Sequence, residues 1–181
     1  MKLLRTVRLD VSDTFVFDRA AEPGEWAVSG AFMFWNADPL ALEGKPRAAF
    51  RSGFLGINSF GWSTLVQIVE ASEEDRRAAV DALAARLLRD LGAPSIELAT
   101  AAAEEELSFA VSLCGPEVDT LVAVHRSVEQ GEIREAFRTL QPRDKPKSWR
   151  NRSFAEADGP EQPNEPNDDV DLIALARGDR P

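Results

Sequence analysis

The chain has no tyrosine, and only one cysteine (Cys114) and one histidine (His125) among its 181 residues. A single cysteine excludes an internal disulfide. With one thiol and one imidazole, a structural zinc site would need carboxylate ligands or a second chain. The spacings that carry common chemistry are also missing: there is no Gly-x-Gly-x-x-Gly, phosphate loop, Gly-x-Ser-x-Gly elbow, Cys-x-x-Cys or His-Glu-x-x-His. A Ser-His-Asp triad would have to use His125, and no serine sits in a nucleophile elbow. The sequence therefore points to no cofactor and no metal, and it leans away from an enzyme. Apolar runs stop at five residues, against the roughly 20 that cross a bilayer. At the N-terminus Arg5 and Arg8 interrupt any apolar signal region. A cytoplasmic location with no membrane partner is the expectation.

What is present is acid. The formal net charge is −10, which argues against nucleic acid as a partner because phosphate binding needs a basic surface. Residues 71–117 carry ten acidic against four basic side chains, and 153–181 carry eight against two. The one basic stretch is RDKPKSWRNR, residues 143–152. Composition changes near Pro142. The reading is a single domain over 1–142, a basic junction over 143–152 and a disordered acidic tail over 153–181, too poor in large apolar groups to offset its ordering entropy. Within that tail, Asp168 or Asp169 can cap a short helix at about 169–177 carrying Val170, Ile173 and Leu175.

In the body, residues 2–9 alternate as a strand, and TFVFD (14–18) and WAVSGAFMFW (26–35) read as an antiparallel pair around the turn-rich AAEPGE. Residues 38–61 read as irregular and 62–70 as a further strand. Ser72 and Asp75 form a capping box for a helix at 73–91, and Ser95 opens a second helix that runs to about Cys114. The last body element is a hairpin turning at Gln130-Gly131. Its register sets Val128 against Ile133, Arg126 against Glu135, Val124 against Phe137 and Val122 against Thr139, with His125, Ser127, Arg134 and Arg138 on the other face. The predicted fold is α+β: an antiparallel sheet of about six strands in the order β-β-β-β-α-α-β-β, covered on one side by two helices.

Four residues stand out as a candidate ligand pocket: Glu106, Arg126, Glu135 and Trp62. Helical spacing places Glu106 among Ala99, Ala102, Ala103, Phe109, Ala110 and Leu113 on an apolar face, where a carboxylate must find a partner or take up a proton. The plainer reading is an ion pair with Arg126, and the sharper one is a ligand-facing or general-base carboxylate. Arg126 lies among Val122, Val124 and Val128 opposite Glu135, and reads either as a cross-strand pair or as an anion site. Trp62 closes FRSGFLGINSFGW (50–62), whose glycines and aromatics suit either a loop wrapped on its own core or a stacking surface for a ligand. His125 reads as a surface residue and Cys114 as a packed thiol. For docking, Trp149 and Phe154 at the basic junction and Ile173 and Leu175 in the tail are the candidates.

The segments MKLLRTVRLDVSDTFVFDRAAEPGEWAV, GFLGINSFGWST and VHRSVEQGEIREAFRTL resemble a bacterial family of unknown function over about residues 1–140. The resemblance implies an association with the maturation of molybdenum or other redox enzymes. It carries over no functional residue, and the chain lacks the glycine-rich signature of a cofactor guanylyltransferase. The functional expectation is a non-catalytic accessory protein that binds a protein partner. The alternative is a small-molecule-binding or enzymatic domain with a Glu/Arg pocket, and a homodimer through an edge strand is a third possibility.

Overall fold

A computed structural model describes residues 1–140. The fold is α+β, built on two antiparallel sheets of four and three strands. Strand β1 (Lys2–Val7) leads into a short helix α1 (Ser12–Val16), then β2 (Ala27–Val28), a 3₁₀ turn at Ala31–Phe34, helix α2 (Gly44–Ser52), β3 (Phe54–Gly56), β4 (Trp62–Ser63) and β5 (Leu65–Glu70). Two long helices follow, α3 (Glu73–Asp90) and α4 (Ile96–Ser112), and the hairpin β6 (Leu121–Glu129) and β7 (Glu132–Leu140) closes the described chain. The larger sheet has the order β1-β5-β6-β7 and the smaller β2-β3-β4. Among the described residues no helix is long and apolar enough to cross a membrane.

The long helices start where side-chain chemistry starts them. Ser72 and Asp75 exchange side-chain-to-backbone hydrogen bonds in a complete capping box, and Ser95 accepts from the Leu98 N–H. α3 buries Ala79, Val80, Leu83, Ala84 and Leu87, and α4 buries Ala99, Ala103, Leu107 and Ala110. Both stripes join one core with Leu4, Val66, Ile68, Val122 and Val124 of the larger sheet. Truncating a fully buried leucine there, such as Leu83, costs about 2–5 kcal/mol in lost transfer energy and cavity formation.

The hairpin has the register that alternation and turn chemistry dictate. Val128 pairs with Ile133, Arg126 with Glu135, Val124 with Phe137 and Val122 with Thr139. Gln130 (φ 54) and Gly131 (φ 84) both take positive φ at its tip, as a primed two-residue turn requires.

The first half departs from the expected elements in four places. TFVFD is not a strand: Ser12–Val16 is a helical turn. Local polar side chains fold it, with Thr14 Oγ1 donating to the Val11 carbonyl (2.6 Å) and Asp10 Oδ1 accepting from the Ser12 N–H (2.7 Å). WAVSGAFMFW is a strand only at Ala27–Val28, because Gly30 enters the left-handed region (φ 79) and starts the 3₁₀ turn. Residues 38–61 are not irregular throughout. They hold α2, whose only buried members are Ala49 and Phe50, so it shows no long apolar stripe to read. Pro46 lies in its first turn, where a missing N–H costs nothing. Finally, 62–70 is two strands that divide at Thr64 and pass from the small sheet to the large one. Asp13 holds that corner, accepting from the Thr64 N–H (3.2 Å) and the Thr64 hydroxyl (2.5 Å).

Candidate functional site

Arg126 is 1% exposed, among the most deeply buried side chains of the described fold. It points inward from β6, and all five of its N–H groups find protein acceptors. Nε donates to Glu135 Oε1 on β7 (2.7 Å). Nη1 donates to the carbonyls of Phe50 (3.0 Å) and Gly53 (2.7 Å) at the end of α2. Nη2 donates to the Ser29 carbonyl and to Ser29 Oγ (3.0 Å). Ser29 Oγ in turn donates to Glu135 Oε1 (2.5 Å). The guanidinium thus ties the hairpin to the start of the 3₁₀ turn and to the carbonyl end of α2, where a cation also meets the helix dipole favourably. Burial pulls its pKa below the ordinary arginine value, and the Glu135 carboxylate works against that pull. A ligand anion could reach this guanidinium only by displacing one of the internal acceptors.

Glu106 lies near this cluster without being bonded into it. Among the described residues no ion pair or hydrogen bond joins it to Arg126, whose carboxylate partner is Glu135. The stripe of α4 is turned by about one residue from the expected one: Leu107 and Cys114 are buried, whereas Ala102 and Phe109 are exposed. Glu106 therefore sits half-buried on the flank of the stripe and not at its centre. The edge of Phe109 meets Phe137 of β7 beside it (5.8 Å between centroids). Burial first, and then the charge of Glu135, push the Glu106 carboxyl up to about 7, with Arg126 opposing and Glu105 adding a little. Charged residues 106, 126 and 135 do share one neighbourhood.

Trp62 packs against the same Gly53 backbone. Its ring lies where side chains at Gly30 and Gly53 would be: a Cβ on Gly53 would come within 2.7 Å of the indole, and one on Gly30 within 2.9 Å. The other glycines of the 50–62 segment are filled the same way, Gly56 by the Glu25 carboxyl and Gly61 by the Ala20 backbone. Their missing side chains admit the chain's own groups. Trp62 also stacks on Phe34 (5.3 Å, 27°), and Phe34 meets the edge of Phe50 (5.3 Å, 82°). Beside this stack is a hollow of about 220 Å³ with Met33, Phe34, Ala49 and Trp62 among its walls.

Glu25 is a buried carboxylate that the pattern did not reveal. Its carboxylate accepts from the backbone N–H groups of Glu22 (2.7 Å), Asn58 (2.7 Å) and Ser59 (2.8 Å) and from the Ser59 hydroxyl (2.5 Å). It clamps the loop between β3 and β4 to the turn before β2. Within AEPGE it looks like any turn acid, and only its distant donors set it apart. Cys114 is buried, and burial pushes its thiol up to about 11, unsuited to nucleophilic work near neutral pH. His125 is exposed. Among the described residues no group of three or more His, Cys, Asp and Glu could hold a metal ion.

Several large apolar side chains are left in water. They run from Val11 (64%) through Leu9, Phe15 and Leu40 to Trp35 (80%). They fall on two segments, 9–16 and 35–40, which flank the Phe17–Phe34–Phe50 cluster. Trp149, Phe154, Ile173 and Leu175, with the basic junction and the acidic tail that carry them, lie outside the described residues.

Neither the curated proteins nor the solved structures offer a match to this chain. The family described as a family of unknown function (DUF6505) matches residues 1–149. With most of its length covered, the chain belongs to that family.

Proposed function

We propose that this protein is a non-catalytic accessory protein that holds a protein partner. The observation that carries the reading is the exposed set Leu9, Val11, Phe15, Trp35 and Leu40, held on segments whose neighbours Phe17 and Phe34 are locked into an aromatic cluster. Exposed aromatic and aliphatic groups on a fixed base supply binding energy at little ordering cost. The internal engagement of all five Arg126 donors supports the same reading, since the most conspicuous cation of the body has no donor left over for a substrate. The partner class that the sequence resemblance brings in is a molybdenum or other redox enzyme at the stage of maturation, in the cytoplasm. In this reading Trp149, Phe154, Ile173 and Leu175 add a second, tethered contact.

Reconstitution with a purified partner tests it. Phe15→Ser with Trp35→Ser should weaken the complex at least tenfold and leave the melting temperature within a few degrees, since both side chains face water. Serines at 149, 154, 173 and 175 of the full chain should do the same to a smaller extent. Undiminished association of the Phe15/Trp35 variant discards the surface.

One observation favours a second reading, a small-molecule-binding domain at Glu106, Arg126 and Glu135. A half-buried carboxyl held near 7 with no bonding partner among the described residues is the kind of group that meets a ligand. Glu106→Gln should then abolish ligand binding without unfolding the chain.

A further inference from the structure

We infer that the hollow beside Trp62 is a binding site for a small apolar carboxylate, an aryl or short acyl acid, distinct from both the exposed docking surface and the Arg126 cluster. Its walls are Met33, Phe34, Pro46, Ala49 and Trp62. Phe34 and Ala49 are buried, and Trp62 is fixed against Gly30, Gly53 and Phe34, so the apolar part is preformed. At about 220 Å³ the hollow exceeds the roughly 150 Å³ that suffices for a benzene ring in an apolar cavity, which leaves room for a ring with a short substituent.

The polar part is cationic in an otherwise acidic chain. Arg19 and Lys45 line the hollow with Asp18, so two cations face one anion. Arg19 spends one N–H on the Ser59 carbonyl (3.0 Å), and its Nε and Nη2 have no acceptor among the described residues. Lys45 has only a long contact to the Phe17 carbonyl (3.4 Å). No salt bridge among the described residues uses Asp18, Arg19 or Lys45. The same rim carries the first turn of α2, in which no side-chain cap takes up the leading N–H groups of Gly44 and Lys45. An apolar body in the aromatic hollow with a carboxylate at Arg19 and Lys45 satisfies both halves. A neutral apolar molecule leaves the cations unused, and a free inorganic anion leaves the hollow unfilled.

The two methionines make the test selective, because Met33 lines the hollow and Met1 lies at the far end of β1. In full-length protein labelled at the methionine methyls, 3-phenylpropionate should move the Met33 resonance saturably at up to millimolar concentration and leave Met1 in place. 3-Phenylpropionamide, the uncharged analogue, should bind about tenfold more weakly. Arg19→Gln with Lys45→Gln, both exposed and outside the core, should erase the preference for the acid over the amide. A stationary Met33 signal, equal affinity for acid and amide, or an undiminished preference in the double variant would overturn the assignment. So would a Met33 shift in Ile173→Ser/Leu175→Ser protein without probe, since that would make the chain's own acidic tail the occupant.

Discussion

Replacing Arg126 with methionine keeps an unbranched apolar stem, shortens the side chain and removes all five donors. The carbonyls of Phe50, Gly53 and Ser29 then lose their Arg126 donors, and the Glu135 carboxylate is left beside them without its cation. An unsatisfied buried acceptor costs about 1–3 kcal/mol, and a buried pair broken from one side about 3–5 kcal/mol. The acceptors share one donor group and relax together, so the upper figure is a fair total. For a body of this size that corresponds to a melting temperature lowered by roughly 10 °C or more. Arg126→Met combined with Glu135→Leu removes the stranded charge as well, and should recover about 1–3 kcal/mol of the loss. Urea unfolding of the wild type, both single variants and the double variant measures the cycle. A loss below about 1 kcal/mol for Arg126→Met, or strictly additive effects in the double variant, would refute the account of Arg126 as the tie between hairpin, α2 and 3₁₀ turn. The same variant should also raise the Glu106 pKa further, because the one cation that opposes the rise is gone.

Other outcomes follow from single contacts. The Glu106 carboxyl is raised to about 7 in the folded state from an ordinary 4.5, so the fold binds a proton that the unfolded chain has released. That contribution is full below about pH 4.5 and is lost as pH rises through 7; it is bounded at about 3 kcal/mol, and solvent screening reduces it. Glu106→Gln should flatten this part of the stability–pH curve, and parallel curves for the two proteins would contradict it. Gly53→Ala puts a methyl 2.7 Å from the Trp62 ring and 2.8 Å from the Ala49 carbonyl, so it should cost about 1–3 kcal/mol in urea midpoint and alter Trp62 fluorescence. Glu25→Gln keeps the shape but turns an amide donor toward backbone N–H groups. It should destabilise by about 1–3 kcal/mol and speed hydrogen exchange at Asn58 and Ser59, which unchanged protection would disprove.

The parts of the fold that could be read from sequence are those fixed by neighbours in the chain. The β6–β7 hairpin follows from Gln130-Gly131 and from the coherence of two faces, and its register places Arg126 opposite Glu135. α3 follows from Ser72, Asp75 and a long apolar stripe. The parts that could not be read depend on distant partners. Asp13 folds against Thr64, 51 residues away, and Glu25 against Asn58 and Ser59, more than 30 residues away. Four of the five Arg126 acceptors lie on residues 29, 50 and 53, and three of those are backbone carbonyls, which residue type does not mark. Glu106 was recognisable as an acid on an apolar helix face. Its true place on the flank depends on how α4 rotates to seat Leu107, and only packing decides that.

The guanidinium tie also orders events in time. Ser29, Phe50 and Gly53 emerge from a ribosome 73 to 97 residues before Arg126 does, and β5 gains its second partner only when β6 arrives. Until then the carbonyls of Ser29, Phe50 and Gly53 lack the guanidinium donors that join α2 and the 3₁₀ turn to the larger sheet. A body closed by its last hairpin has to fold essentially whole, because non-local pairings must be reached before they stabilise anything. Damage to that hairpin would therefore be felt first at the opposite end of the sequence.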